Sequence, residues 1–226
     1  MTKFRLLGLA LLATVSLAAC DDDDDAEARL RAVHLSPDAP AVDVLVNGDR
    51  VLSNVAYTGA SDYLTVDAGS NRVQVNAAGT STSVIDATLD LDEDGDYTVI
   101  ATDFLADITP IVLEDDNSAP SSGNIKVRIV HGAPSAPAVD VYITAPGADI
   151  NTATPALEDV PFQAFSDYIE APAGSYQIRV TPAGTKTVVI DSGTVPLAAG
   201  QIRTVVARDA TGGGAPFGAV VLADRN

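Results

Sequence analysis

Tryptophan is absent from this 226-residue sequence, aromatic residues make up only 5% of it, and it has one cysteine and two histidines. One cysteine cannot form an internal disulfide bond, and two histidines offer few nitrogen ligands for a zinc site. Exposed aromatic rings are the usual stacking surface for polysaccharides, so the missing tryptophans argue against such a surface. The fold must therefore be stabilised by aliphatic packing.

Basic side chains are also scarce, since 13 Lys and Arg residues stand against 31 Asp and Glu residues, for a formal net charge of −18. This excess disfavours nucleic acid and anionic lipid surfaces as partners. The charge is uneven, because residues 26–116 carry 17 acidic and 4 basic side chains whereas residues 117–226 carry 9 and 7. The second half can therefore approach a partner more easily than the first.

The N-terminus has the order of a secretion signal that ends at the only cysteine. Lys3 and Arg5 precede an apolar run over residues 6–13, and Leu-Ala-Ala at 17–19 leads into Cys20. This order resembles the bacterial lipoprotein signal, in which the cysteine becomes the new N-terminus and carries diacylglycerol and palmitate. We expect residues 1–19 to be a signal peptide, and residues 20–27 to be the lipidated cysteine with an acidic, solvated tether. The lipid would hold the chain on a membrane of the cell envelope, and both the inner and the outer membrane fit this order.

One motif organises the rest of the chain, because the eleven residues from His34 to Val44 return from His131 to Val141 with 8 of 11 positions identical. Proline cannot donate to a sheet ladder, so the paired prolines predict a corner between strands. The identical positions include His34, Pro37, Pro40 and Asp43 in the first motif, and His131, Pro134, Pro137 and Asp140 in the second.

Period-2 alternation of apolar residues predicts strands and no helix. In the first repeat it indicates strands over 28–35, 42–46, 50–55, 62–66, 71–76, 83–89, 97–102 and 108–113, with a tight hairpin at Asn47-Gly48. The expected domains are residues 28–116 and 124–226, joined by a polar linker over 117–123. The second repeat has an insertion at residues 144–155, in place of that hairpin.

The H-x-x-P-x-A-P-x-V-D-V opening, Ser-Asp-Tyr at 61–63 and 166–168, and Pro-Ala-Gly-x-Tyr at 172–176 resemble the bacterial family known as domain of unknown function 4397. The resemblance covers nearly all of the mature chain, twice. It implies an all-β protein of two tandem immunoglobulin-like or transthyretin-like β-sandwiches, secreted or lipid-anchored. It implies no known activity.

Strand parity places the motif histidines on the inner face and Arg31, Arg128 and Asp140 on the outer face. If the strands on either side of the corner pair, Arg31 can meet Asp43, and Arg128 can meet Asp140. The histidine rings are then expected to bond the backbone of the proline corner. The motif is thus predicted to be architectural.

The block Asp90, Asp92, Asp94 and Asp96 resembles the first half of a calcium-binding loop. However, Ala101 stands where such a loop places its bidentate Glu, and the second repeat lacks the acidic residues. We interpret the block as a solvated acidic hairpin, with a calcium site as the alternative. The following Tyr97 resembles the tyrosine corner of immunoglobulin-like sandwiches, and Ile202 aligns with it in the second repeat.

Catalysis is the weakest hypothesis. A set of His34 with Ser61, mirrored by His131 with Ser166, would make a hydrolase, but no Gly-x-Ser-x-Gly turn is present. We expect a non-catalytic envelope lipoprotein without a cofactor, acting as a binding or structural module. Its partner would be an envelope or extracellular protein or a glycan, and the alternative is a calcium-dependent adhesion module.

The acidic block yields a direct test. A solvated hairpin should leave the melting temperature unchanged in millimolar Ca²⁺, because no ligand then binds the folded state preferentially. The comparison is the double variant Asp92→Asn, Asp94→Asn, measured by differential scanning fluorimetry with and without Ca²⁺. A rise that the double variant abolishes would establish the calcium site instead.

Overall fold

A computed structural model describes residues 26–225 of the chain. Residues 1–25, which include the segment predicted as a signal peptide, Cys20 and the aspartates of the predicted tether, lie outside the described residues. Within residues 26–225 every regular element is a β-strand, and no helix long and apolar enough to cross a membrane is found there. The all-β prediction is confirmed.

The first sandwich is built from eight strands in two sheets. Its strands are β1 (Glu27–His34), β2 (Val42–Val46), β3 (Asp49–Val55), β4 (Leu64–Asp67), β5 (Gly69–Ala77), β6 (Ser83–Leu91), β7 (Asp96–Thr102) and β8 (Thr109–Glu114). One sheet has the order β4-β1-β7-β8 and the other has the order β3-β2-β5-β6. Only β1 and β7 are parallel neighbours among these pairs.

The second sandwich repeats this topology. Its strands are β9 (Asn124–His131), β10 (Val139–Thr144), β11 (Leu157–Val160), β12 (Ile169–Pro172), β13 (Gly174–Pro182), β14 (Ile190–Asp191), β15 (Val195–Leu197), β16 (Ile202–Arg208) and β17 (Gly218–Arg225). One sheet has the order β12-β9-β16-β17, and the other has β11-β10-β13-β14 with β15 also paired to β13. Two short strands, β14 and β15, therefore stand where the first repeat has β6.

The local sequence signals correspond to these elements. All eight strands expected in the first repeat are present, with ends shifted by no more than two residues. Asn47 and Gly48 both have positive φ, at 53° and 92°, which is the requirement of a type I′ hairpin turn. The insertion at residues 144–155 lies in the long connection between β10 and β11.

The expected pairs of Arg31 with Asp43 and of Arg128 with Asp140 are wrong. Strands β1 and β2 lie in different sheets, as do β9 and β10, so the motif crosses from one sheet to the other. Asp43 instead accepts the amides of Asn54, at 2.8 Å, and Gly79, at 3.1 Å.

Asp140 occupies the equivalent place in the second repeat. It accepts the amides of Asp159 and Gly184, both at 2.9 Å. Asp140 lies between the core residues Val139 and Val141, so the predicted outer face is confirmed, although only 6% of Asp140 is exposed. Each motif aspartate thus binds one amide of an edge strand, β3 or β11, and one amide of the turn that follows β5 or β13.

The motif histidines lie at the inner rim of their sandwiches. His34 Nε2 is 3.0 Å from the Pro40 carbonyl oxygen, and His131 Nε2 is 3.0 Å from that of Pro137. Because a carbonyl can only accept, Nε2 carries the proton in this contact. Each histidine is 1% exposed, and the expected bond to the proline corner is confirmed.

The histidines should make stability depend on pH. Burial lowers the pKa of both the His34 and the His131 imidazole, so the folded state disfavours the charged ring. The contribution of the neutral rings to the free energy of unfolding is therefore fully present above the unfolded pKa of about 6.5, and it is lost as the pH falls below that value. We expect His34→Ala and His131→Ala each to reduce the free energy of unfolding by about 1 to 3 kcal/mol at pH 7.5, and to flatten its decline below pH 6.5.

Denaturant titrations between pH 5 and 8 measure both effects. His34→Gln is the matched control, since its amide can donate to the Pro40 carbonyl but does not titrate in this range. It should recover part of the lost stability and keep the flat profile. If the alanine variants had the wild-type free energy of unfolding across this pH range, the architectural role would be contradicted.

Candidate functional site

The two sandwiches meet through a pair of crossed ion pairs. Arg31, in β1 of the first sandwich, donates from Nη2 to Asp224 Oδ1 of the second sandwich at 2.5 Å. Arg128, the equivalent residue in β9, donates to Asp115 Oδ1 of the first sandwich. All four side chains are at most 3% exposed. Each arginine therefore reaches across the interface to the partner sandwich's carboxylate.

A threonine and a tyrosine of the carboxylate's own sandwich complete each pair. Asp115 accepts the hydroxyl of Tyr63 at 2.6 Å and that of Thr98. In the mirrored position, Asp224 accepts Tyr168 at 3.0 Å and Thr204 at 2.6 Å. The two half-sites are therefore related by an approximate two-fold arrangement, and every charge in them is hydrogen-bonded, as buried charges require.

The tyrosines also cover the arginines. The guanidinium carbon of Arg31 lies 4.6 Å from the ring centre of Tyr63, and Arg128 has the same distance to Tyr168, within the range of a cation–π contact. Burial, reinforced by the neighbouring aspartates, raises the pKa of both phenols. The tyrosines therefore remain protonated donors at the interface between the two sandwiches.

An apolar cluster continues the interface beyond the ion pairs. Val33 in β1 and Leu35 directly after it alternate with the residues that face the sandwich's own core. They pack in one cluster with Val130 and Val206 of the second sandwich. Strand β1 is thus buried on both faces over its second half, which explains why apolar residues occupy its outer positions.

A second repeated pattern in the sequence marks the residues of this interface. Leu113-Glu114-Asp115 and Leu222-Ala223-Asp224 are a second repeated pattern, L-x-D, in the last strand region of each repeat. Arg-x-Val-His at 31–34 and 128–131 is its counterpart in the first strand. The pattern marks the residues, but only the arrangement of the sandwiches shows that each arginine pairs with the other repeat's aspartate.

The acidic block is not gathered into one site. Asp90 lies on β6, and Asp94 takes φ of 60° in the turn that follows. Asp96 is bound by Arg29 at 2.5 Å and by the Asn117 amide at 2.7 Å. Within residues 26–225 no group of three or more His, Cys, Asp or Glu side chains is arranged to hold a metal ion. Calcium binding stays a prediction.

The same turn contains the expected tyrosine corner. The amide of Asp92 donates to the Tyr97 hydroxyl at 3.0 Å, and Tyr97 is 7% exposed. Its equivalent in the second repeat is not Ile202. Tyr97 pairs with Leu30 and Arg203 pairs with Val127, so Arg203 takes the place of the tyrosine.

The serines of the hydrolase hypothesis, Ser61 and Ser166, form hydrogen bonds with backbone amides. Ser61 Oγ accepts the Ala32 amide at 3.0 Å, and Ser166 Oγ accepts the Ile129 amide at 3.1 Å. With each histidine engaged by its proline corner, the two residue types have separate structural roles.

A cavity of about 370 Å³ lies between the two sheets of the second sandwich. Small-molecule sites are typically about 300 to 1,000 Å³. The corresponding cavity of the first sandwich is only about 20 Å³. The first sandwich is therefore packed about as closely as an ordinary protein core. The two repeats, which share one topology, therefore differ in whether that space is filled.

A one-residue insertion accompanies the cavity. In β6 the residues Asp86 and Leu89 pair with Gln74 and Asn71. In the second repeat the equivalent partners, Arg179 and Tyr176, pair with Asp191 and Val195, which are one residue further apart. The extra residue splits the strand into β14 and β15. The sequence also contains it, because Ala-Gly-Thr at 78–80 and Ala-x-Asp at 101–103 begin 23 residues apart, whereas their equivalents at 183–185 and 207–209 begin 24 residues apart.

Comparison with known proteins supports the repeat. A family model described as Domain of unknown function (DUF4397) matches residues 28–142 and 144–226, and no curated protein matches the chain. The TIE protein of Bacillus anthracis is similar at 12% identity over 80% of this chain, with a TM-score of 0.26. This chain spans about a third (34%) of the length of the TIE protein.

Two further solved structures are similar at the same low level. A family CBM26 module from Eubacterium rectale Amy13K, in complex with maltoheptaose, shares 11% identity over 88% of this chain and 98% of that one, with a TM-score of 0.26. A streptococcal virulence factor described as binding alpha-glucan shares 12% over 80% and 92%, also with a TM-score of 0.26. Likenesses this weak carry no functional argument.

The crossed ion pairs should be the most sensitive part of the interface. Arg128→Met removes the hydrogen-bonded counter-charge of Asp115 and leaves that buried carboxylate with Arg31 Nη2 at 3.5 Å, so we expect a loss near the lower end of about 3 to 5 kcal/mol in the free energy of unfolding. Arg72→Met is the matched control, because the pair of Arg72 with Asp86 is exposed and should contribute less than about 1 kcal/mol. Urea titration of both variants measures the difference, and equal losses would contradict the ranking.

Proposed function

The chain belongs to the family described as Domain of unknown function (DUF4397), and since that description assigns no activity, we propose from the chain's own residues that it is a non-catalytic, lipid-anchored binding module of the bacterial cell envelope. The lipid on Cys20 would hold it on a membrane. The two sandwiches would present one binding site away from the tether.

The observation that carries the binding role is the difference between the repeats. The first sandwich closes its inter-sheet space, whereas the second leaves about 370 Å³ open between its sheets. A structural spacer needs no such space, and a void of this size forfeits packing contacts. The second sandwich is therefore the binding end of the molecule.

The charge distribution favours a supporting role for the first sandwich. The first sandwich follows the acidic tether and holds most of the excess negative charge, so it suits the role of a soluble support. The near-neutral second sandwich also bears the long connection at residues 144–155, which offers a further contact surface for an envelope protein or a glycan. The buried ion pairs couple support and binding end rigidly.

The anchor is tested by cell fractionation. Cys20→Ala should move the protein from the membrane to the soluble fraction with an unchanged melting temperature, because the lipid would be its only attachment. Asp21→Asn retains the cysteine and should stay with the membrane. Membrane retention of Cys20→Ala would contradict the lipoprotein assignment.

The soluble variant then serves as bait for the binding role. Incubated with envelope extracts, it should retain a partner or a small molecule that is identified by mass spectrometry, and deletion of residues 145–154 reports whether the long connection contributes. Recovery of nothing from any extract, with or without Ca²⁺, would contradict a binding module.

A further inference from the structure

We propose that the cavity of the second sandwich binds the aliphatic chain of an uncharged, lipid-like molecule. The inference rests on the proposed binding role and names the class of ligand. It is independent of the anchor, because it concerns only the space between the two sheets.

The cavity exists because residues that fill the first sandwich are exchanged in the second. Leu30 and Tyr97, which pair across β1 and β7, belong to the packed core of the first sandwich. Their equivalents, Val127 and Arg203, both line the cavity. Ile129 in place of Ala32 adds three carbons where Val127 lacks one relative to Leu30, so the missing ring of Tyr97 is the exchange that opens the space.

The edge of the second sandwich is also open. Val221 of β17 lines the cavity and yet is 58% exposed, whereas its equivalent in β8, Val112, is 37% exposed. Strand β14, on the opposite sheet, has only two residues. Strands β14 and β17 approach within 8 Å between Cα atoms but do not pair, so a ligand can enter beside the exposed Val221 without separating paired strands.

The wall of the cavity is aliphatic on both sheets. Val141, Ile178 and Val180 line it from one sheet, and Ile129 and Val205 line it from the other. Sheets packed face to face lie about 10 Å apart, so the space between them is a flat slot. An alkyl chain fits such a slot and gains from burial of its apolar surface.

The polar groups at the rim are already engaged by the protein. Asp191 accepts the Gln177 amide with both oxygens, at 2.8 and 3.0 Å, and Arg203 donates to the carbonyls of Ile202 and Arg225 at 3.0 and 2.6 Å. Ser192 Oγ donates to the Gly193 carbonyl and accepts the Ile178 amide. Asp191 and Arg203 both line this rim, so an ionised ligand of either sign would lose its hydration and meet a like charge beside the opposite one, and an uncharged ligand avoids this cost.

The repeat provides a matched pair of test variants. Ala207 and Ala101 both pair with a motif histidine, and each lines the inter-sheet space of its own sandwich. A leucine at 207 has room in the cavity and should occupy the ligand's place. A leucine at 101 has no room and should lower the melting temperature through overpacking.

The experiment uses the full mature chain with Cys20→Ala in detergent-free buffer and the uncharged fluorescent probe N-phenyl-1-naphthylamine. We expect saturable binding of one probe per chain, at least tenfold weaker in Ala207→Leu and unchanged in Ala101→Leu below its melting temperature. Arg203→Tyr, which installs the residue of the first repeat, is the second blocking variant. It keeps the test decisive if Ala207→Leu misfolds.

Competition identifies the ligand and its source. Decanol should displace the probe at a concentration at least tenfold lower than decanoate or decylammonium. Displacement by phosphatidylcholine vesicles would indicate a membrane lipid as the source, and displacement by decanol alone would indicate a free molecule. Equal probe binding by the wild type and both blocking variants, or preferential displacement by either ion, would overturn the proposal. Because no envelope extract is used, this result is separate from the search for a partner.

Discussion

The crossed pairing of Arg31 with Asp224 and of Arg128 with Asp115 is the constraint on which the rest of the structure depends. A buried guanidinium requires a carboxylate, and here each sandwich supplies the carboxylate for the other's arginine. Within the described residues of the first sandwich Arg31 has only Asp115, at 3.5 Å, so a single sandwich would lose the closer, hydrogen-bonded pairs. The duplication is thus built into the electrostatics of the fold, and the two repeats form one interdependent unit.

This exchange also explains the burial pattern of the strands. In β7 every residue is buried, although an antiparallel or mixed sheet in a free sandwich usually has one solvated face. The partner sandwich covers the outer face through Val130, Val206 and Leu222. Apolar residues at outer positions of β1 and β7 are therefore a property of the pair of sandwiches.

The interface leaves the inner space of each sandwich free to diverge. Contacts between the repeats use the outer faces of the β1 and β9 sheets, whereas the cavity lies between the sheets of the second sandwich. An insertion on β14 and β15 and the exchange of Tyr97 for Arg203 could alter the second interior without disturbing the crossed pairs. One repeat can then serve as support while the other binds a ligand.

The sequence by itself determined the strands, the Asn47-Gly48 turn, the tandem repeat and the proline corners with their histidines, because each depends on alternation or backbone restriction over a few residues. Only the tertiary structure decided which strands share a sheet, and so that Asp43 binds the backbone amides of Asn54 and Gly79 rather than Arg31. It also decided what covers the outer face of β1. Alternation distinguishes the two faces of a strand but carries no information about the surface that packs against either, and an interior volume depends on side chains that converge from distant parts of the chain.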